Sequence, residues 1–371
     1  MPDLSGPAGK IGRYFSVLSV IPSALLVSFV LVLAASGAWS GHVDWSAGFA
    51  ALGHDGLTRV IQVALASLLV GLVLQPLQYA LVQFAEGYWG TGPVAGALMR
   101  VCIGRHRRSR RNLNRIEGEY LNALESWGQS PQRTGDAKVT DDHLGALVRY
   151  EEARRALLGY PHDVNDVRPT RLGNMLRRYE AEAGAVYQLP LPVVAPHIAL
   201  LAPKAHVGYV DDQRTQLDLA VRLALVSVLG AVAAVLFLWR DGLWLAVALV
   251  PYTMAYLFYL GAVVVAGEYG TALATVLDLN RFALYDALRV PQPASLGDER
   301  AQAAKLAQVL RTDLRLEDRV VALDYATPTA GVACDTGSLS GSAELGDPAA
   351  TGDGDASQAD GVAGPDAGDA S

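Results

Sequence analysis

Four apolar stretches interrupt an otherwise polar chain, and each is long enough to form a membrane-spanning helix. The first, YFSVLSVIPSALLVSFVLVLAA from Tyr14 to Ala35, contains no charged residue. A helix needs about 20 apolar residues to cross ~30 Å of hydrocarbon, whereas a cleaved signal peptide has an apolar region of only about 7–15 residues. We therefore expect a retained first span. The pattern predicts transmembrane helices at 14–36, 60–84, 217–239 and 243–266.

These spans predict an all-α integral membrane protein with four transmembrane helices in two hairpins and a helical cytoplasmic domain between them. The external loop at 37–59 contains Trp39 and Trp45, which are typical of a membrane interface. The remaining predicted parts are an N-terminal tail (1–13), the cytoplasmic domain (85–216), an external turn (240–242), cytoplasmic C-terminal helices (267–325) and a disordered acidic tail (326–371).

The distribution of Lys and Arg predicts that both termini are cytoplasmic. In that orientation only Arg59 and Arg240 lie at the outer face, and all other basic residues lie inside or where a span enters from inside. Basic residues concentrate in cytoplasmic loops, although long loops count less in this rule. The short flanking segments agree, with Lys10 and Arg13 before the first span and Arg281 after the last. We expect a multi-pass protein of the cell (cytoplasmic) membrane.

Several cytoplasmic helices follow from periodicity and capping signals. Apolar positions at helical spacing predict a helix over 112–127. Thr140, Thr170 and Ser295 are suitable N-caps for the helices after them, and Asp298 completes a capping box with Ser295. The apolar, proline-rich segment 189–203 is too broken to span, so we expect it against the membrane face or the helical domain.

Composition adds few chemical constraints. The net charge of −7 reflects the tail after Ala326, which has acids but no Lys or Arg, so it says nothing about a partner of the body. Cys102 and Cys334 are too few and too far apart for a disulfide framework or a cysteine-based zinc site. The loop HDVND at 162–166 lacks the glycine and distal glutamate of a calcium loop. We predict no metal and no cofactor.

A polybasic block, RHRRSRR at 105–111, follows the second span. Basic side chains near a membrane surface attract anionic lipid at ~1 kcal/mol each. The aromatic residues that would stack on the bases of single-stranded nucleic acid are not interleaved here. We therefore predict anionic-lipid contact at the inner face, and no nucleic-acid binding, through Arg105, Arg107, Arg108, Arg110 and Arg111.

The second and fourth spans leave the membrane with similar sequences, AEGYWGT at 85–91 and AGEYGT at 266–271. Both spans also contain a proline, Pro76 and Pro251, and proline-interrupted spans at matching positions in two halves indicate a transport site. The alternative is that their polar groups hold the helices together. The candidate residues for a polar path or a helix contact are Gln75, Gln78, Glu86, Tyr252, Tyr256 and Glu268.

A third candidate is the segment PTRLGN at 169–174, which begins a helix. Gly and Asn are poor helix formers, so Gly173 and Asn174 indicate either a packing device or a corner that contacts a partner. In the second case the contacts would be Arg171, Asn174 and Arg177.

This segment and LDLNRF at 277–282 resemble those of uncharacterised multi-pass membrane proteins of bacteria. The composition, rich in Ala, Arg and Asp, is similar to that of high-GC bacteria. The resemblance implies a cytoplasmic-membrane protein of unknown activity and assigns no functional residue.

The sequence contains no nucleophile elbow, P-loop or zinc-binding helix motif, so we lean against an enzyme. The first hypothesis is a non-enzymatic membrane scaffold or sensor whose cytoplasmic helices bind a protein partner or report the state of the membrane. The second is a small channel or transporter, assembled as a homo-oligomer, that uses the polar faces of the second and fourth spans. An enzyme acting at the inner membrane surface is the third.

Overall fold

The computed structural model describes residues 21–53, 56–128, 141–311, 323 and 325. All regular structure in these ranges is helical, which confirms the predicted all-α class. The α-helices are α1 (Ile21–Ala35), α2 (Trp45–Gly53), α3 (Gly56–Glu86), α4 (Pro93–Gly128), α5 (Asp141–Leu157), α6 (Arg171–Glu182), α7 (Leu191–Leu201), α8 (Lys204–Leu238), α9 (Leu249–Ala287) and α10 (Leu296–Leu310). The predicted N-terminal tail, the start of the first span, Thr140 and the acidic tail lie outside the described residues.

Three helical segments are long and apolar enough to cross a membrane, namely Gly56–Pro76 in α3, α8, and Gly242–Ala287, which contains α9. The described part of α1 has 15 residues, fewer than the ~20 that a crossing needs. The segment Arg171–Tyr187 and α7 form a pair bent by 76° that passes the same test together. The described chain therefore has three to four apolar helices that can span a membrane.

α8 and α9 form a hairpin through the 3-10 segment Gly242–Ala248, and small residues line their contact. A Cβ atom added to Gly230 would lie 3.5 Å from the Cβ of Pro251. Ala234, Ala255 and Ala262 are buried. Since lipid tails are as apolar as leucine, membrane helices associate largely through the close packing that such small residues allow.

The predicted external loop contains secondary structure that periodicity did not reveal. Within 37–59 lie a 3-10 turn, Ala38–Ser40, and the helix α2. Asp44 begins α2 by accepting a hydrogen bond from the backbone N–H of Ser46 at 2.9 Å. The ring of Trp45 then packs edge-on against Trp244, with centroids 5.3 Å apart. These contacts fix the loop to the end of the α8–α9 hairpin.

In the segment between the second and third predicted spans, the start of one predicted helix is corrected and the proline-rich segment has a defined structure. The helix expected over 112–127 begins at Pro93, so the arginine block lies inside one long helix, α4. Proline suits the first turn of a helix, where its missing N–H costs nothing. The proline-rich segment forms α7, whose Leu191, Val194 and Ile198 join a buried cluster with the C-terminal half of α9 and with α10.

The predicted cap of the last helix is confirmed. Ser295 Oγ accepts a hydrogen bond from the backbone N–H of Asp298 at 3.2 Å, so α10 begins where the sequence indicated.

A candidate coupling site around helix α6

The first turn of α6 is anchored to α9 through Tyr259. A helix start leaves backbone N–H groups without partners inside the helix. Thr170 Oγ1 accepts from the N–H of Gly173 at 3.0 Å, which confirms the predicted cap. The hydroxyl oxygen of Tyr259 accepts from the N–H of Arg171 at 3.1 Å and from that of Leu172 at 3.4 Å. Tyr259 thus satisfies two of the N–H groups that lack a partner inside the helix, and it ties the start of α6 to α9.

Asn174 closes the loop in front of α6. Its side chain is fully buried. Its Oδ1 accepts from the N–H of Arg168 at 2.7 Å, and its Nδ2 donates to the carbonyl oxygens of Arg168 and Thr170 at 3.0 and 2.8 Å. This leaves Asn174 no surface for a partner and supports the packing interpretation. Of the other predicted partner residues, Arg171 is exposed and Arg177 forms ion pairs with Asp166 at 2.9 Å and Glu180 at 3.2 Å.

The exit of α3 packs on the start of α6 with no space for a side chain between them. A Cβ atom at Gly173 would overlap the carbonyl oxygen of Glu86. Gly87, at a positive φ of 103°, lies against the ring of Pro169. The guanidinium of Arg168 lies over the ring of Tyr88, 5.2 Å from its centroid. Glycine is therefore required at 87 and 173 by close approach.

The other side of α6 packs on the exit of α9. The thioether of Met175 lies beside Gly267, and the ring of Tyr179 packs directly on Gly270. The Tyr179 hydroxyl is hydrogen-bonded to Thr271 Oγ1 at 2.9 Å. The two similar exit sequences are thus both in contact with one short helix.

The two glutamates of these exits have different surroundings. Glu268 is exposed, whereas Glu86 is about half-buried. Burial raises the pKa of the Glu86 carboxyl, the nearby charge of Glu180 raises it further, and Arg168 partly opposes both effects.

Glu86 and Gln75 line a cavity of about 510 Å³, which we call the α6 cavity. Helices α3, α6, α8 and α9 form its walls, together with Leu191 at the start of α7. The lining side chains with polar atoms are Gln75, Tyr79, Glu86, Tyr179, Glu180, Arg214, Asp218 and Tyr269.

Tyr252 and Tyr256 do not line this cavity. They lie with Tyr259 in a separate and largely apolar groove of about 420 Å³ between α3, α8 and α9. The side chain of Gln78 lies outside the described residues. The residues predicted for one polar path therefore divide between two places.

The arginine block of α4 is also divided. Arg110 is buried and donates to the carbonyl oxygen of His162, and Arg107 Nε donates to that of Val164 at 3.2 Å. Arg105, Arg108 and Arg111 are exposed. Lipid contact remains a prediction for these three, while the other two fix α4 to the loop before α6.

That loop links α4, α5 and α6. His106 Nδ1 is 3.0 Å from the Tyr160 hydroxyl. Burial lowers the pKa of His106, and the charges of Arg171 and Arg105 lower it further. Arg178 of α6 donates to the carbonyl oxygen of Leu158, just after α5, at 2.5 Å. α6 therefore contacts the exits of α3 and α9 and the chain just after α5, and the loop before α6 contacts α4.

The sequence does not indicate the role of Tyr179, and it does not reveal that Tyr259 and Gly270 contact α6. Tyr179 lies nine residues after Thr170 on the same helix but meets a partner about 90 residues away in the chain, so a single sequence contains no signal for the pair. Within the described ranges, no three His, Cys, Asp or Glu residues group closely enough to hold a metal ion. Comparisons with family models, curated proteins and solved structures find no match.

Proposed function

We propose that this protein is a non-enzymatic sensor or scaffold of the cytoplasmic membrane, with four spans and both termini inside, in which α6 transmits the arrangement of the spans to the cytoplasmic helices. The observation that carries the proposal is the double anchoring of α6. Gly173 of α6 contacts the exit of α3, Tyr179 of α6 contacts the exit of α9, and Tyr259, earlier in α9, binds the first turn of α6.

The mechanical argument follows from these contacts. If the two exits move relative to each other, α6 cannot keep both sets of contacts without shifting. Arg177 and Arg178 join α6 to Asp166 and to the end of α5, so a shift of α6 displaces α5. Bilayer thickness changes the tilt of membrane-spanning helices, so a change in thickness would move the two exits relative to each other.

The test measures the distance between spin labels on α5 and α9 in nanodiscs of thin and thick lipids. Labels are placed at Glu152→Cys and Asp278→Cys, both exposed positions, with Cys102 and Cys334 replaced by serine. We expect the distance to change with thickness in the otherwise unaltered chain. In Gly173→Ala the added methyl group separates α6 from α3, so α5 moves with α9 only. The distance between the labels should then no longer change with bilayer thickness.

Gly145→Ala in α5 is the matched control, since a Cβ atom there meets nothing within 4 Å. Tyr179→Phe, which removes only the bond to Thr271, should broaden the distance distribution without unfolding the protein. The proposal would be overturned if the distance between the labels did not change with bilayer thickness in the otherwise unaltered chain, or if it changed equally in Gly173→Ala.

The second candidate is a small oligomeric channel or transporter. The α6 cavity favours it, because Gln75 and Glu86 face a common space beside Pro76. Ion or solute flux from proteoliposomes that Gln75→Ala changes and Tyr256→Phe leaves intact would support a path through this cavity. If the two substitutions affected flux equally, or if no flux were observed, the result would count against a path through this cavity.

A further inference from the structure

The α6 cavity has the size of a small-molecule site. Its volume of about 510 Å³ lies within the range of about 300–1,000 Å³ typical of ligand pockets. Besides its polar groups it has apolar walls from Pro76, Val82, Leu176, Leu217 and Leu273. Such a mixture suits an organic molecule better than a hydrated inorganic ion.

The charges of the cavity favour a cation. Three carboxylates, those of Glu86, Glu180 and Asp218, share the wall with one guanidinium, that of Arg214. Glu180 is paired with Arg177 at 3.2 Å, and Asp218 also has an interaction within the protein. In the described part of the chain, no hydrogen bond or ion pair reaches the carboxylate of Glu86. Arg168 stabilises the charged form only in part. A half-buried carboxylate without an ion-pair partner is costly in that form, and a bound cation would offset the remaining cost.

The aromatic residues narrow the class of cation. Tyr79, Tyr179 and Tyr269 come from three different helices and all line the cavity. Aromatic rings attract organic ammonium groups through the negative potential of their faces, and ring-lined cages with nearby acids are the usual receptors for such groups. Tyrosine rings, a carboxylate and apolar walls together are the chemistry that recognises a substituted ammonium ion.

We infer that the α6 cavity binds an organic ammonium ion, with Glu86 as its principal counter-charge. The ammonium group comes either from a soluble amine or from the head group of a membrane lipid. This inference does not rest on the transmission role proposed for α6, because binding is measured directly and without reference to movement.

The first arm of the test uses the purified full-length protein in nanodiscs of phosphatidylglycerol, which has no ammonium group. Choline and spermidine are titrated by calorimetry at pH 7.5. We expect saturable binding of at least one, weakened by about tenfold or more in Glu86→Gln, because a partly desolvated charge pair is lost. Glu180→Gln should weaken binding less, since that carboxylate already has a partner in Arg177.

The second arm identifies a lipid source. Native mass spectrometry of the protein from mixed nanodiscs should show retained phosphatidylethanolamine or phosphatidylcholine if the ligand is a head group, and Glu86→Gln should lose it. Retention without binding of the soluble amines assigns the site to lipid, whereas the reverse assigns it to a soluble ligand. The absence of both would overturn the inference.

The control is Glu268→Gln, which removes the exposed glutamate of the other exit and should leave binding unchanged. An equal loss of binding in Glu268→Gln and Glu86→Gln would show that the amine responds to the surface charge in general, and it would overturn the inference. Binding should also weaken as the pH falls, because protonation of Glu86 removes the counter-charge. The groups around Glu86 that bear on this titration are Glu180, Arg168, Arg214, Asp218, Tyr79 and Tyr269.

Discussion

Arg281 holds the C-terminal helix α10 against α9. Its Nε donates to Glu299 Oε1 at 2.9 Å, and only 5% of the Glu299 side chain is exposed. The guanidinium also lies over the rings of Tyr187 and Phe282, 4.3 and 4.4 Å from their centroids. The pair therefore sits between aromatic surfaces and away from water. Arg281 belongs to LDLNRF at 277–282, so this part of that motif has a structural role.

We predict that Glu299→Ala destabilises the protein by about 3–5 kcal/mol, because it leaves the largely buried guanidinium of Arg281 without its counter-charge. The matched control is Glu119→Ala on α4. Glu119 pairs with Arg115 at 3.4 Å, but about two thirds of each side chain or more is exposed, so its loss should cost less than about 1 kcal/mol. Thermal and denaturant unfolding of both variants in detergent measures the difference. Similar small effects would contradict the prediction.

At the scale of whole elements, α4 has two sides with different roles. Arg107 and Arg110 bind the loop before α6. On another side, Val94, Leu98 and Val101 are spaced by three or four residues and are all more than half exposed. The same spacing continues to Arg105 and Arg108, so an apolar line runs directly into a basic line. This pattern is typical of a helix that lies in the membrane interface, with its basic residues at the head groups.

We therefore predict that Leu98 lies among lipids and that Arg105 and Arg108 hold it there. A polarity-sensitive dye on Leu98→Cys should report an apolar environment in nanodiscs rich in anionic lipid. The signal should become more polar in Arg105→Gln/Arg108→Gln, since each basic residue contributes ~1 kcal/mol. The same dye on Leu121→Cys, on the opposite side of α4, should report water throughout. A dye at Leu98 that reports water in every lipid would contradict the prediction.

The sequence predicted the elements better than their contacts, for a physical reason. Hydropathy and capping are local, so the apolar spans and the caps at Thr170 and Ser295 were recognisable. The start of α4 is not evident from the sequence, since Gly96 and Gly104 are poor helix formers and the arginines that follow obscure its periodicity. Gly173 and Asn174 stand out in the sequence as poor helix formers at the start of a helix. Gly173 is needed there because the carbonyl oxygen of Glu86, far away in the chain, lies against it, and Asn174 because its buried side chain binds the loop before α6.

For the whole molecule, the positions of the aromatic residues and of the charges predict one orientation in the membrane. Trp39 packs edge-on against Phe237, with centroids 5.3 Å apart, at the end of the α8–α9 hairpin, where the sequence places few basic residues, Arg59 and Arg240. The basic surface of α4 and the salt-bridged loop around Asp166 lie beside the opposite, exit ends of α3 and α9. Basic residues accumulate on the cytoplasmic side. We therefore predict that the α6 cavity lies at the cytoplasmic end of the spans.

The orientation predicts opposite chemical access for two exposed positions, Ser40 near the start of the first hairpin's loop and Glu152 on α5. Each is changed to cysteine in a chain whose Cys102 and Cys334 are replaced by serine. A membrane-impermeant maleimide should label Ser40→Cys in intact cells, because we predict that this loop faces outward. It should label Glu152→Cys only after the membrane is permeabilised, because the helices joined to α6 are predicted to face the cytoplasm. The reverse labelling pattern would contradict this orientation. It would mean that the arginines of α4, and any lipid they bind, lie at the outer leaflet.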